Sequence, residues 1–482
     1  MEASTFWLEW LVLWAGHELM LFASVGILLI GLDDLLFDAL WLGTRGQARG
    51  DSRDSRDTPP LAGTVAVFLP AWDEASVLPA MLSRTLAAWA GEDVRIYIGC
   101  YPNDAATLFA ISPLIARDRR LRLVIGDCDG PTTKGDNLNR LWTALGADER
   151  TDAMRFAAVV LHDAEDHVHP DEIALYRQYL GDNAMVQIPV VPIMARGARW
   201  IGGHYGDEFA EAHGKELVVR SRLGLPLPSA GVGCALTRHT LALLAIERGG
   251  EPFRTNSLTE DYELGMVIDG YGLRARFVDQ AGSMGDRIVS RGAFPDRADA
   301  AVRQKARWIA GIALAGWDHL GWPGARQHAS MVPVGTAPVG RMWLARWMLW
   351  RDRRAPLAAL VLLAAYVGLM ATVIGAAGQA FFGWQPVVLG DGMRLLLALN
   401  AVMLVWRLAM RSLFTGRCYG WGEAAWALPR AFVANIVAML AARRALAIYW
   451  RMLRSGEVVW DKTEHRESDM DSDGAPAPVV LR

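Results

Sequence analysis

Cysteine is scarce in this chain. Cys100, Cys128, Cys234 and Cys418 are the only four in 482 residues and form no C-x-x-C pair. That spacing argues against a zinc site and gives no reason to expect a disulfide framework, so the central domain reads as facing a reducing compartment. Lysine is nearly as rare: Lys134, Lys215, Lys305 and Lys462 are four of the 49 basic residues, the rest being arginine. The net formal charge is -3, spread in both signs without a basic stripe, so nucleic acid is not an expected partner. No G-x-G-x-x-G and no Walker A pattern occurs, which removes the signatures of NAD and P-loop chemistry. Apolar residues, in contrast, are abundant. They make up 52% of the chain, with a mean hydropathy of +0.17, which is high for a wholly soluble protein of this length and predicts a membrane portion.

The apolar runs lie at the two ends. Trp10 to Leu32 is apolar except for His17 and Glu18, long enough to cross a hydrocarbon core of about 30 Å at about 1.5 Å per residue. It lacks a basic leader and a small-residue cleavage site, so a retained transmembrane helix is expected rather than a signal peptide. Asp33 to Leu42 continues as an amphipathic stretch expected at the membrane interface, making residues 1–43 one anchoring unit. Residues 44–60 are polar, charged and end in Pro59-Pro60, which reads as a linker. Ala355 to Phe382 and Met393 to Met410 are two further spans. Trp421 to Leu440, interrupted by Pro429, Arg430 and Asn435, reads as an interfacial helix, because crossing would export Arg443, Arg444, Arg451 and Arg454. Arg341, Arg346, Arg351, Arg353 and Arg354 before the second span, with Arg407, Arg411 and Arg417 after the third, put those ends and the central domain in the cytoplasm. The C-terminal membrane region is thus 341–454, followed by a polar tail, 455–482, expected to be disordered.

Between the membrane regions, residues 61–340 alternate strand and helix. Strands are predicted at Thr64 to Leu69, Val94 to Gly99, Leu121 to Ile125, Ala157 to Leu161 and Met185 to Val191, with helices at Val77 to Ala90 and Asn137 to Leu145. Such alternation specifies an α/β fold with a mostly parallel sheet and function at the carboxyl ends of its strands.

Several motifs fall at those ends. Asp163 and Glu165 directly follow the apolar run, and strand alternation would point both carboxylates the same way, as a pair of ligands for Mg²⁺ or Mn²⁺. An acidic loop tip or a helix cap is the plain alternative. Glu260 and Asp261 open a helix; either could remove a proton from an attacking hydroxyl, and both would also suit the helix macrodipole. Gln304, Arg307 and Trp308 share one helix face, where an amide, a guanidinium and an indole suit a diphosphate and a sugar ring, although an ordinary interfacial helix carries Arg and Trp too. Pro70 to Glu74, including Asp73, ends the first strand, Asp104 follows the second, and Lys134 with Asn137 opens a helix, together a plausible nucleotide cradle. Gly231, Gly233 and Cys234 would let a ligand approach the backbone or form a tight turn.

Taken in order, these motifs resemble the family 2 glycosyltransferases, in particular the membrane-integrated synthases similar to bacterial cellulose synthase. The phrases YPNDAAT, LHDAEDHVHP and GLDDLLFD look most like the bacteriophage adsorption protein B type of inner-membrane glycosyltransferase. The resemblance covers about Thr64 to Trp308 and implies a GT-A type domain that binds a nucleotide-sugar, with a UDP-sugar expected, so an inverting transfer to a growing cell-surface glycan is expected. By this resemblance Pro70, Asp73, Glu74, Asp104, Lys134 and Asn137 bind the nucleotide-sugar and Asp163 and Glu165 hold the metal. Asp261 is then the base beside Glu260, while Gly231, Gly233, Cys234, Gln304, Arg307 and Trp308 hold the diphosphate and acceptor. Glu165 stands where many relatives have Asp, which leaves Asp166 as a rival ligand, and Asp73 stands where Asn is frequent. The implied partners are a glycan or lipid-linked acceptor, membrane lipids and an outer-membrane export partner, at a bacterial inner membrane. A cyclic di-GMP domain found in larger relatives is expected to be absent from this chain. Transfer of one sugar to a polyprenyl phosphate and a silent scaffold or phage-receptor component are the rival functions.

Overall fold

The computed structural model describes residues 2–46, 58–194, 197–323, 339–385 and 388–456. Most of the expected linker and nearly all of the expected disordered tail lie outside these residues. Helix α1 (Glu2–Gly43) leads to strands β1 (Val65–Pro70), β2 (Val94–Cys100), β3 (Leu121–Ile125) and β4 (Ala158–Leu161), which alternate with α2 (Leu78–Ala88), α3 (Ala105–Ile115) and α4 (Lys134–Thr151). Next come α5 (Glu172–Leu180), β5 (Met185–Gln187), β6 (Val190–Ile193), α6 (Ile201–Glu211) and α7 (Leu217–Arg222). They are followed by β7 (Cys234–Thr237), α8 (Arg238–Glu247), α9 (Glu260–Gly270), β8 (Ala275–Phe277), β9 (Ser290–Ala293), α10 (Ala298–Ile309) and α11 (Gly316–Leu320). The chain closes with α12 (Val339–Arg353), α13 (Ala355–Phe382), α14 (Asp391–Tyr419) and α15 (Trp421–Ser455).

The main sheet has the order β3-β2-β1-β4-β7-β5-β8 and is parallel except at β7, which runs against both β4 and β5. Both faces are covered, and the alternation of β1 shows why its sequence is apolar throughout. Val65, Val67 and Leu69 enter one core with Ile96, Ile98 and Val160, while Ala66 and Phe68 enter the other with Tyr97, Val159 and Leu161. The predicted strand Met185 to Val191 is in fact two. β5 pairs in the main sheet, whereas β6 pairs in parallel with β9 in a separate ribbon. Pro189 stands between them without an N–H to donate, and Gln187 turns its amide onto the carbonyls of Ile188, Val232 and Gly233, so the ladder cannot run through.

Helices α1 (from Glu9), α13, α14 and α15 are long and apolar enough to cross a membrane, by length and composition. Asp33 to Leu42, expected at the interface, continues α1 without a break and is drawn into the protein, with Phe37 and Trp41 buried. Asp34 meets Arg354 at 2.6 Å, Arg407 at 2.8 Å and Arg351 at 3.1 Å, and Asp38 meets Lys215 at 2.7 Å, which also pairs with Glu211. This ionic belt joins α1, α12 and α14 to the turn after α6.

Candidate active site

The site is a cleft at the carboxyl ends of β1, β2 and β4, where β1 has neighbours whose crossovers leave in opposite directions. Pro70, Ala71, Trp72 and Glu74 line one end with Tyr101, whose ring stands edge-on to Trp72 at 5.3 Å. Asp163, Glu165 and Asp166 form the floor, and Glu260 and Asp261 face them from the start of α9. Gln304, Arg307 and Trp308 of α10 close the far end together with Phe209 and Phe294.

Asp163 and Glu165 reach the cleft by a route that strand alternation does not describe. Pairing of β4 with β1 and β7 stops at Leu161, and residues 163–166 form a turn in which Asp166 N–H donates to the Asp163 carbonyl at 3.2 Å. Behind this turn His162 is fully buried between Asp166 Oδ2 (2.8 Å) and Glu172 Oε1 (2.9 Å), and Tyr176 also donates to Glu172. Burial opposes a charge on the imidazole, but Glu172 and Asp166 outweigh it and push His162 up to about 10. The same Asp166 oxygen accepts from Asp163 N–H at 3.1 Å, so Asp166 serves to shape the turn.

Lys134 Nζ sits 2.5 Å from Asp163 Oδ1. Burial works against its charge, yet Asp163, Glu260 and Asp261 together hold it above the ordinary lysine range. Glu165 is pushed well up by burial and then by repulsion from Asp163, Asp166 and Glu74. Glu260 and Asp261 are both raised, burial again being the largest cause; Asp261 adds to it at Glu260 and Asp163 adds to it at Asp261, while Lys134 opposes both. The N-cap of α9, Thr259, makes no side-chain capping bond; Ser257 accepts Thr259 N–H at 3.2 Å and itself donates to Glu263 at 2.5 Å. Asp261 Oδ1 accepts the neighbouring Tyr262 N–H at 2.7 Å.

Of the predicted residues, Pro70, Glu74, Lys134, Asn137, Asp163, Glu165, Glu260, Asp261, Gln304, Arg307 and Trp308 line the cleft. Asp73, Asp104, Gly231, Gly233 and Cys234 do not line it. Asp104 is buried as the N-cap of α3 and accepts Asp73 N–H at 2.6 Å, which holds the first loop with Asp73 at φ 55°. Gly231, at φ +76°, lies so close to Asp261 that a Cβ would run into its Oδ2. Cys234 is buried in β7 with its sulfur 3.2 Å from Ser229 Oγ. Sequence reasoning missed Tyr101, Phe209 and Phe294. Phe209 and Phe294 pack at 4.8 Å from elements far apart in the chain, so no local spacing could pair them.

The donor set suits a hard divalent cation. Asp163 and Glu165 offer oxygens, and the crowding that raises Glu165 is what a cation would relieve. Among the described residues there is no group of three His, Cys, Asp or Glu placed to hold a metal ion.

The model of Glycosyl transferase family group 2 matches residues 158–410. Bacteriophage adsorption protein B of Escherichia coli K12 and bacteriophage N4 adsorption protein B of E. coli O157:H7 are each 30% identical to the chain over 477 residues, covering 92% of it. The chain spans 61% of the length of those relatives. Among solved structures, the mannosyltransferase PcManGT from Pyrobaculum calidifontis, in complex with GDP-Man and Mn²⁺, is 17% identical with a TM-score of 0.48, over 86% of this chain and 98% of that one. With the family match running over half its length, and a GT-A type, mostly parallel sheet, the chain belongs to glycosyl transferase family group 2.

Proposed function

We propose that this chain is a membrane-bound, inverting glycosyltransferase that moves a sugar from a UDP-linked donor to a hydroxyl of a growing cell-surface glycan. One observation carries the reading: Lys134, Asp163 and Glu165 meet Glu260 and Asp261 across a single cleft. Trp72 and Tyr101 offer aromatic faces at the nucleotide end, and Lys134 and Arg307 offer cations for the diphosphate. Asp163 and Glu165 would hold Mg²⁺ or Mn²⁺, which supplies positive charge to the departing diphosphate. Asp261, raised above the ordinary carboxylate range by burial, is the general base. The acceptor oxygen attacks the anomeric carbon while its proton passes to Asp261, and the bond to the diphosphate breaks on the opposite face, which inverts the configuration. Phe209, Phe294 and Trp308 supply ring faces for the acceptor sugar.

The proposed setting is a bacterial inner membrane, with α1, α13 and α14 spanning it and the α/β domain in the cytoplasm. In support, residues 383–393 between α13 and α14 contain no Lys or Arg, whereas Arg351, Arg354, Arg407 and Arg411 gather at the other ends. A partner in the outer membrane would receive the glycan.

The test is UDP or GDP release by purified, detergent-solubilised protein with Mn²⁺ and a panel of nucleotide-sugars. Release with one donor is expected, lost in Asp261→Asn while donor binding persists. Unchanged turnover in that variant would refute the base assignment, and no release with any donor would favour a silent scaffold. Product size on a gel separates polymer extension from transfer of one sugar to a polyprenyl phosphate.

A further inference from the structure

By length and composition α15 would be a fourth span, but its contacts follow a different pattern. Glu423 pairs with Arg199 at 2.9 Å, and the fully buried Arg430 makes two 2.8 Å bonds to Asp207 of α6. Val433 and Val437 then pack with Tyr205 and Ala301, and Ala441 and Ala445 with Leu258, Ala306 and Ala310. Tyr449 finally donates to Asp318 of α11 at 2.7 Å. The helix therefore touches the α/β domain from one end to the other. The longest interval between these contacts, from Glu423 to Arg430, is about 10 Å of helix, far short of the about 30 Å of a hydrocarbon core.

The opposite face is apolar and largely uncovered, apart from Asn435, which donates to Tyr366 of α13 at 3.3 Å. Leu428, Phe432, Ile436, Leu446, Trp450 and Leu453 are all exposed, Phe432 at 63% and Leu453 at 65%. At 100° per residue they fall half a turn away from Arg430, Val437, Ala441 and Ala445. Arg443, Arg451 and Arg454 are exposed on the C-terminal half, and Arg454 lies 3.7 Å over the Trp450 ring. Glu423 is the only acidic residue of the helix, and it is paired inward with Arg430 at 2.7 Å. Leu363 and Leu369 of α13 and Val402 and Val405 of α14 are exposed as well.

We infer that α15 does not cross the membrane but lies in its plane, inner face clamped to the α/β domain and outer apolar, arginine-flanked face seated on a bilayer surface containing anionic phospholipid. The acceptor end of the cleft is then one helix from lipid, because Phe209, Phe294 and Trp308 share a cluster with Val433 and Val437. This placement rests on packing and does not depend on the proposed reaction.

Sidedness tests it in the full-length chain. Cys128 is exposed on the α/β domain and serves as the reference for a membrane-impermeant maleimide in spheroplasts and in inverted membrane vesicles. Gly422→Cys and Ser455→Cys, at exposed positions near the two ends of α15, should both label from the same side as Cys128. Labelling of the two ends from opposite sides would overturn the inference. In a Cys128→Ser background, a bimane on Ile436→Cys in phosphatidylglycerol-containing vesicles should lose most of its fluorescence to a shallow nitroxide lipid. The same probe on Ile246→Cys, exposed on α8, should not. Equal, weak quenching at both positions would show that the stripe faces water and would likewise overturn it.

Discussion

At the scale of single residues, function and stability pull apart at Glu260 and Asp261. Burial raises both carboxyls above the ordinary carboxylate range. A base works only when deprotonated, so kcat/KM should fall as pH drops through the pair's titration, on an acid limb displaced above the ordinary carboxylate range, as a pH-rate profile would show. The folded pair holds protons more tightly than the unfolded chain, so its contribution to folding is greatest at low pH and is lost as pH rises through the folded values. Asp261→Asn, which removes that charge, should therefore melt no lower than wild type at neutral pH while losing turnover. Gly231→Ala would push a Cβ into Asp261 Oδ2 from a backbone at φ +76°. Turnover should fall at least about tenfold, roughly 1.4 kcal/mol on the barrier, with donor KM little changed in steady-state kinetics. The two carboxylate motifs and Gln304, Arg307 and Trp308 were legible because each stands in a short local pattern. The hold of Asp104 on the first loop was not, because the N–H it accepts there belongs to Asp73, 31 residues earlier in the chain.

At the scale of elements, β1 to β4 and α4 could be read from apolar runs and helical spacing because each obeys one local period. β7 could not, since its place between β4 and β5 is a long-range pairing with no signature in its own four residues. α15 divides the signals: its basic residues read as an interfacial helix, while its length and composition would suit a span. Arg430, which looks like an interruption, is its deepest anchor. Arg430→Met would leave Asp207 buried without its partner and should cost about 3–5 kcal/mol, read as a lowered melting temperature in detergent. Adding Asp207→Leu should recover part of that loss, since the stranded charge goes with it.

At the scale of the whole molecule, the α/β domain and the membrane helices share one core. Phe37 and Trp41 of α1, Met348 of α12 and Phe414 of α14 pack with Val191, Ala210 and Val219. A fragment of residues 58–340 would expose that cluster together with Glu211 and Lys215, so it should aggregate or elute as large species on size exclusion, where the full chain in detergent stays monodisperse. The sequence divides the chain at 61 and 340 by composition, but that boundary does not separate two independent packing units, because cross-boundary contacts leave no mark on local hydropathy.

The ionic belt also bears on the order in which the protein is made. Asp33 and Asp34 leave the ribosome more than 300 residues before their partners Arg351, Arg354 and Arg407. Until those arginines arrive, the carboxylates keep their water and the C-terminal part of α1 cannot dock, because burying unpaired charge is too costly. The belt therefore works as a completeness check, in which a helix made before its arginine partners is sealed only after they arrive.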